Sequence, residues 1–475
     1  MPKRLGDLVP GVGRDVELRG VAARAQEVQP GDLFVLHARA GARAQRFAAL
    51  AEARGAAAIL LVGDLAVASR LPVVRAADEA EAAAILARFH EVRGQTRHLA
   101  VVGTDGKTSV AWYLRALLDR VAGPAWSRGT LGVVRSEGIE PRPNTTPGLV
   151  EAWALIGEAE RRGVRWLIWE VSSHGIAQRR LAGIRWQGVV WTTLGRDHAE
   201  DHGGVEATWR IKAGFVSEVA VSGGVIAVNA DDPEIMQRAP KGAWRYGREH
   251  ADLSWQAPKP GVLRVRWSEG EAEIAPIPRG GFHAENIAAA VLLAWKAAGI
   301  PPQDAARALA GVSPPPGRLE PVAEGVFIDY AHTPEALRRM LEDARRLATR
   351  RVLLVFGCGG ERDRGKRAPM GAVAAQLADQ VWITNDNPRG ESPEAIARDI
   401  LAGVPAHARA RVRVVLDRAK AIAEAVDARG EGDVLVIAGK GAESTMEVAG
   451  RVIPWSDAEA VRRAMGGKAC ASPLA

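Results

Sequence analysis

Three α/β domains in succession are what this sequence predicts: a small N-terminal α/β layer, a central domain of the phosphate-loop mononucleotide-binding type, and a C-terminal doubly wound domain of Rossmann type. Three observations carry the prediction. Short, almost wholly apolar runs alternate with helical stretches, the pattern of parallel strands covered on both faces. A glycine-rich turn, Gly103-Thr104-Asp105-Gly106-Lys107-Thr108-Ser109, joins one such run to a helix. A proline-rich break, SPPPGRLEP at 313–321, separates the second series of strands from the third and suits a hinge. A chain of 475 residues is too long for one core, and about 150 residues per domain gives three. The expected boundaries are 1–95, 96–316 and 317–475.

In the first domain GDLFVLHA reads as a strand, AQRFAALAEARGA as a helix and AAILLVG as a second strand. The helix EAEAAAILARFHEVRG leads out of it. In the second, HLAVV enters the glycine-rich turn, and VRWLIWEV (164–171), WQGVVWTTL (186–194) and GGVIAVNA (223–230) follow as buried strands. In the third, GVFIDY, RVLLVFG, QVWITND, RVRVVLD and DVLVIAG alternate with helices. No GxGxxG follows the first of these, so the fold alone does not bring a dinucleotide.

Hydrophobic residues at 47% and charged residues at 25% are those of an ordinary soluble protein, which sets aside disordered and fibrous classes. The net charge is +7, yet only 10 of the 63 basic residues are lysine, and the arginines are scattered without a basic run. That spacing argues against a nucleic-acid surface and for attraction of anionic small molecules. Cys358 and Cys470 fit no disulfide or zinc spacing. The opening MPKRLGDLVPGVGRD lacks a signal core, and no run of about 18 apolar residues suggests a membrane span. A cytoplasmic, monomeric protein without a membrane or nucleic-acid partner is expected.

The turn at 103–109 departs from the Walker pattern, because Val101 stands where its first glycine would be. Gly-x-x-Gly-Lys-Thr survives between strand and helix. Its amides and the helix N-terminus favour phosphate, Lys107 can reach the outer phosphates, and the Thr108 hydroxyl can bind magnesium. Glu170 ends a buried strand at the carboxyl edge of the sheet, where an unpaired carboxylate is costly unless a cation meets it. Nucleotide-bound magnesium or one of the many arginines would serve. In LGRDHAEDHGG, His198 and His202 lie four apart, but the further ligands a zinc site needs are absent, and a polar loop explains them as well. Lys212, in TWRIKAGF, reads by itself as a lysine snorkelling from a helix. Thr146 before Pro147 reads as a helix N-cap followed by proline at the first helical position.

Together these stretches resemble the Mur ligase family of ATP-dependent amide-forming enzymes in peptidoglycan synthesis. The markers, in chain order, are GTDGKTS, EVSSH, RDH followed by Lys212, NADDP, GFHAEN, PGRLE, DYAHTPEAL, FGCGGERDRGKR, NDNPRGESP and AGKGAE. The last three point to the branch that adds the third amino acid to the UDP-N-acetylmuramoyl dipeptide. The resemblance implies that Gly103 to Ser109 hold ATP, with Asn286 and Arg318 near adenine and ribose and Asp329 and His332 in a hinge segment that meets the nucleotide. It implies two magnesium ions, shared by Thr108, Glu170, His198 and a Lys212 carbamylated by carbon dioxide, and a catalytic set of Lys107, Glu170, His198 and Lys212. For the UDP-linked acceptor it implies Arg24, Thr145, Thr146, Ser172, Gln178 and Arg180. For the incoming amino acid it implies Arg362, Asp386, Asn387, Arg389, Gly439 and Glu443. Arg389 can clasp a carboxylate by two bonds, and Glu443 can pair with an ammonium, which favours meso-diaminopimelate over lysine or ornithine.

Asp105, His283 and Ala442 stand where the family carries Asn, Asn and His. VAARAQEV and RAGARAQRF lack its Asp-Ser and Asp-Gly-His elements. The implied reaction passes the γ-phosphoryl of ATP to the acceptor carboxylate, and the acyl phosphate then meets the amine. A folylpolyglutamate synthetase, which would share the loop, Glu170, His198 and Lys212 without DNPR, is the nearest rival. A catalytically silent nucleotide-binding regulator is the rival of another class.

Overall fold

The computed structural model describes residues 3–195 and 203–466. By its internal contacts the chain forms two compact units. The first gathers 3–102, 115–190 and 211–226, and the second 103–114, 191–195, 203–210 and 227–466.

The first unit opens with a parallel four-stranded sheet: Gly20–Ala22, Asp32–His37, Ala58–Val62 and Val73–Ala76, in that order. Helix Ala44–Ala53 packs its Ala44, Ala48 and Ala51 against Phe34, Leu36, Ile59 and Leu61. Helix Glu79–Phe89 starts at Asp78, whose carboxylate accepts from the amides of Ala80 and Glu81 and so satisfies two of the first-turn donors. The strand Trp166–Val171 then runs parallel between Ala125–Gly129 and Arg97–Val102. All six of its side chains are buried, as expected of a central strand covered on both faces. Gly132–Arg135 and Gly138–Glu140 extend the layer as antiparallel edges.

The second unit holds two layers. In one, Val225–Asn229, Trp244–Gly247 and Leu253–Lys259 run parallel, and Val262–Trp267 and Gly270–Ile274 add antiparallel hairpins. The helix Gly281–Ala298 carries a nearly continuous buried stretch from Ala284 to Ala294 and ends at Gly299 in the left-handed conformation. The other layer is a six-stranded sheet ordered Glu320–Ala323, Val326–Asp329, Val434–Ala438, Val352–Phe356, Gln380–Ile383 and Val412–Val414. Its first pairing is antiparallel and the rest are parallel. Glu320–Ala323 begins at the end of the proline-rich break and contains Pro321, which an edge strand tolerates because its missing N–H need not face a neighbour. Among the described residues no helix is long and apolar enough to cross a membrane.

Candidate active site

The strand Arg97–Val102 leads into the glycine-rich turn, and the helix Lys107–Val121 starts at its lysine. Gly103 and Gly106 take φ of 154° and 85°, values that side-chain-bearing residues rarely adopt. The Lys107 ammonium lies over the turn, donating to Gly103 O at 3.0 Å and Thr104 O at 2.7 Å. The turn is clamped by two threonines that sequence reasoning missed. Thr193 Oγ1 accepts from the Asp105 amide at 2.9 Å, and Thr192 Oγ1 donates to Asp105 O at 2.5 Å. The Thr104 amide donates to Thr193 O, and Thr104 Oγ1 accepts from the Gly195 amide at 2.8 Å. An apolar strand ending in a Thr pair beside a phosphate loop was the available signal. Thr108 and Ser109 are buried in the first helical turn.

Residues that the resemblance implies for the nucleotide, from distant segments, join this turn. Asn286 Oδ1 lies 2.6 Å from where a Cβ on Gly106 would stand. Arg318 donates from Nη2 to Thr108 Oγ1 at 3.2 Å and lies 4.3 Å over the Tyr330 ring. Asp329 is buried and accepts from the amides of Leu319 and Ala331, each at 2.7 Å. Burial nevertheless pushes its carboxyl up to about 6, against the pull of Arg318 and those two amides. His332 Nδ1 is 2.9 Å from Tyr330 O. His283 meets the hydroxyl of Tyr113, from the phosphate-loop helix, at 2.7 Å, and burial holds its imidazole neutral, pushed down to about 3.

The residues that the resemblance implies for the incoming amino acid form a second cluster. Lys440, fully buried and passed over by sequence reasoning although Gly439 and Glu443 flank it, donates to Glu443 Oε2 at 2.7 Å and Asn387 Oδ1 at 3.1 Å. Its ammonium is 3.9 Å from Asp386. Asn387 Nδ2 donates to Glu443 at 2.9 Å and Asp386 at 3.1 Å, and the Glu447 amide donates to Asn387 Oδ1 at 3.0 Å. Four bonds thus fix which way the amide points. Burial raises the Asp386 carboxyl, with Lys440 and Arg418 pulling against it. Beneath the cluster buried Arg418 pairs with Asp457 at 2.7 Å and donates to Asn385 O and Ala438 O, one carbonyl from each loop. Gly439 reaches the nucleotide side through its amide, which donates to Asp329 O. Arg389 has φ of 53°, and its Nη1 donates to Gly360 O at 2.7 Å while its Nε lies 3.4 Å from Glu447. The exposed Arg362 and the half-buried Arg389 both approach Gly359.

In the first unit Glu170 is buried, accepting from the Thr130 amide at 3.0 Å and hydroxyl at 3.1 Å. Thr145 Oγ1 meets Thr130 Oγ1 at 3.2 Å. Thr146 is not the N-cap that Pro147 suggested. The helix begins at Leu149 with Gly148 as its cap, because the Thr146 hydroxyl is engaged elsewhere, with Glu170 O at 2.9 Å and Ser172 Oγ at 3.0 Å. Ser172 caps the short helix Ser173–Ala177 instead. Arg180 donates to Thr146 O at 2.9 Å and Gln178 Oε1 at 3.0 Å, so four of the acceptor residues come together. Arg39, not anticipated, donates to Gln178 O at 3.1 Å; the burial of Arg180, and after it the charge of Arg39, lower the Arg180 pKa. Arg24 pairs locally with Glu27 at 3.1 Å.

Lys212 also corrects the sequence reading. On the helix Val205–Val221 it is 4% exposed, so its amine is buried with its stem and does not snorkel. A lysine whose tip leaves water must be met by other groups. His198 lies outside the described residues. Among the described residues no group of three His, Cys, Asp or Glu is placed to hold a metal ion.

Comparison with known proteins covers nearly the whole chain. Residues 101–294 match the family described as Mur ligase middle domain, and 317–441 that described as Mur ligase, glutamate ligase domain. A UDP-N-acetylmuramoyl-L-alanyl-D-glutamate–2,6-diaminopimelate ligase of Alkalilimnicola ehrlichii is 37% identical over 485 residues, covering 95% of each chain. A solved structure of a ligase with the same name is 28% identical, with a TM-score of 0.65 over 98% of this chain and 99% of its own. A MurF ligase from Thermotoga maritima, crystallised with ADP, shares the fold at 18% identity and a TM-score of 0.65, over 95% and 97% of the two chains.

Proposed function

The chain belongs to the Mur ligase family, and from that premise we propose that it joins meso-2,6-diaminopimelate to UDP-N-acetylmuramoyl-L-alanyl-D-glutamate, driven by ATP, in peptidoglycan precursor synthesis in the cytoplasm. The domains are 1–95 for the UDP-linked acceptor, 96–316 for ATP and 317–475 for the amino acid. One observation carries the reading furthest. Arg318 touches Thr108 of the phosphate loop, while a Cβ on the adjacent Gly317 would stand 2.3 Å from the Ala442 amide of the amino-acid loop. Two adjacent residues, 317 and 318, thereby approach both the glycine-rich loop and the loop proposed for the diamino acid. An ATP-driven amide ligase needs that arrangement, and a silent nucleotide binder does not.

The acceptor carboxylate does not react with an amine at neutral pH because its leaving group would be oxide. Attack of that carboxylate on the γ-phosphorus forms the acyl phosphate and releases ADP. Attack of the amine then forms the amide, releases inorganic phosphate and sheds a proton. In this scheme Lys107 exchanges its loop carbonyls for phosphate oxygens and offsets charge in the first step. Arg318 and Asn286 orient the nucleoside end. Asp329 and His332 set the hinge, whose closure excludes water from the acyl phosphate. Thr145, Thr146, Ser172, Gln178 and Arg180, with Arg24, bind the UDP-linked acceptor. Asp386, Asn387, Gly439 and Glu443 take the distal ammonium, while Arg389 and Arg362 take the distal carboxylate.

Magnesium, when bound, neutralises phosphate and carboxylate oxygens. Each donor is of the kind a hard cation takes: Thr108 would bring a hydroxyl and Glu170 a carboxylate. Glu170 is so closely framed that a Cβ on Gly129 would fall 1.9 Å from its Oε1. His198 and a carbamylated Lys212 would complete the ligands for two ions, and burial of the Lys212 amine supports a role at its tip.

Incubation with the UDP-linked dipeptide, ATP and a panel of diamino acids, read by product mass, tests the reading. A product heavier by one dehydrated diaminopimelate is expected. A lysine or ornithine product would reassign the third residue, and absence of any product with every acceptor would remove the ligase reading. Lys212→Ala should abolish ligation without rescue by bicarbonate, and full activity would refute the carbamate role.

A further inference from the structure

Arg128, on the strand Ala125–Gly129, is 0% exposed, and its guanidinium is spent wholly on the protein. Nη1 donates to Gly129 O at 2.7 Å and Asn144 O at 2.8 Å. Nη2 donates to Pro143 O at 2.7 Å and Glu151 Oε1 at 3.1 Å, and Nε reaches the same Glu151 oxygen at 3.3 Å. One side chain thus ties the end of a strand, the segment leading to Thr145–Thr146, and the first turn of the helix Leu149–Arg161. A buried arginine is costly to desolvate, and a hydrophobic side chain would pack that strand more simply. What the fork adds is geometry, since one rigid planar group meets the carbonyls of Gly129, Pro143 and Asn144 and a Glu151 carboxylate oxygen.

The segment so held is one that needs holding. Pro141, Arg142, Pro143 and Asn144 are exposed, and Asn144 takes the left-handed φ of 61°. On one side of the fork, the residue after Asn144 is Thr145, which bonds Thr130. On the other, the residue after Gly129 is Thr130, whose amide and hydroxyl both hold Glu170. We propose that Arg128 is a positioning residue of the ligation site. It fixes the 143–146 segment against the Gly129–Thr130 turn, and so sets both the threonine edge offered to the UDP-linked acceptor and the donors that orient Glu170. The acceptor half rests on the ligase reading above; the ordering of the segment and of Glu170 does not.

Arg128→Lys keeps the charge and loses the fork. In the full-length variant the amides of Arg142, Asn144, Thr145 and Thr146 should exchange hydrogen at least about tenfold faster in the free protein. KM for the UDP-linked dipeptide should rise about tenfold and the magnesium requirement should increase, with KM for ATP within twofold of the parent. Glu151→Gln retains the accepting oxygen and should restore near-parental values, whereas Glu151→Ala should raise the acceptor KM several-fold. The proposal is overturned if a folded Arg128→Lys keeps parental exchange, acceptor KM and magnesium dependence, or if all parameters merely fall with the folded fraction. Should Arg128→Lys not fold, Glu151→Ala decides, since a parental acceptor KM in that variant also overturns it. If the parent enzyme does not use the UDP-linked dipeptide, the ligase reading fails by itself, and the exchange data still decide whether Arg128 orders the segment.

Discussion

The phosphate loop and the cluster around Asn387 are held by opposite means. Neutral groups clamp the loop: the hydroxyls of Thr192, Thr193 and Thr104 and a ladder of main-chain amides. Charges clamp the cluster: Lys440 between Asp386 and Glu443, with Arg418 and Asp457 beneath. A neutral clamp leaves the positive potential of the helix start and Lys107 undiminished, which suits a polyanion. Two carboxylates against one ammonium leave one negative charge, which suits the cationic end of a diamino acid. The difference teaches that the same chain tunes charge by withholding it in one place and by counting it in the other.

The largest expected effect breaks the loop side alone. Lys107→Met removes the ammonium of the loop, and single-turnover ADP release should fall by at least about 1,000-fold, roughly 4 kcal/mol of transition-state stabilisation. Calorimetric binding of the diamino acid should change less than about twofold. Equal losses in both would erase the distinction between the regions.

Asp329 is the charged exception on the nucleotide side. Its folded pKa is raised from 3.8 to about 6, so the folded protein holds the proton more tightly than the unfolded chain. The associated stability is fully present below 3.8 and lost as pH rises through about 6, a swing of about 3 kcal/mol for a shift near two pH units. Urea melts of the parent and Asp329→Asn should therefore differ by an amount that changes by about 3 kcal/mol between pH 3 and pH 7. Parallel pH curves would remove Asp329 from the account.

On the charged side, Lys440→Met leaves Glu443 and Asp386 without their shared ammonium. The kcat/KM for the diamino acid should fall about 100-fold, or about 2.7 kcal/mol, while KM for ATP stays within twofold. A matching rise in KM for ATP would mean that Lys440 braces the whole unit and not the pocket.

What could be read in advance follows the same division. The phosphate loop is contiguous, so its glycines, Lys107 and Thr108 were legible from spacing. Its clamp was not, because Thr192 and Thr193 sit almost ninety residues away and reach it only through the fold. The apolar strands were legible because full burial leaves a continuous signature, as in Trp166–Val171. The hairpins from Leu253 to Ile274 were not, since their strands mix Arg, Lys and Glu with apolar residues on a half-covered layer. Thr146 misled because a local rule was applied to a side chain that a distant segment had already engaged, and Lys212 because helical spacing does not show how deeply the helix is covered. Lys440 escaped because it supports the pocket from within, and residues transferred by resemblance are those that meet ligands.

The smallest effect sharpens the comparison most. Arg389 stands beside the negative cluster and, in the proposed function, supplies the positive half of a zwitterion site. The fold has already narrowed what it can do. Nη1 is committed to Gly360 O, and Nε faces Glu447, so a substrate carboxylate is met chiefly by Nη2. A hydrogen bond to a charged group contributes about 1.5–3 kcal/mol. Arg389→Ala should therefore lower kcat/KM for meso-diaminopimelate about 30-fold. Lysine, which has the ammonium and no distal carboxylate, should lose less than about threefold. The ratio of the two losses isolates the carboxylate, because any loosening of the Asn387 cluster would affect both amines alike. A ratio near one would place the discrimination in the negative cluster, with Arg389 as a brace for the loop, and would leave the two regions differing in charge without differing in what they recognise.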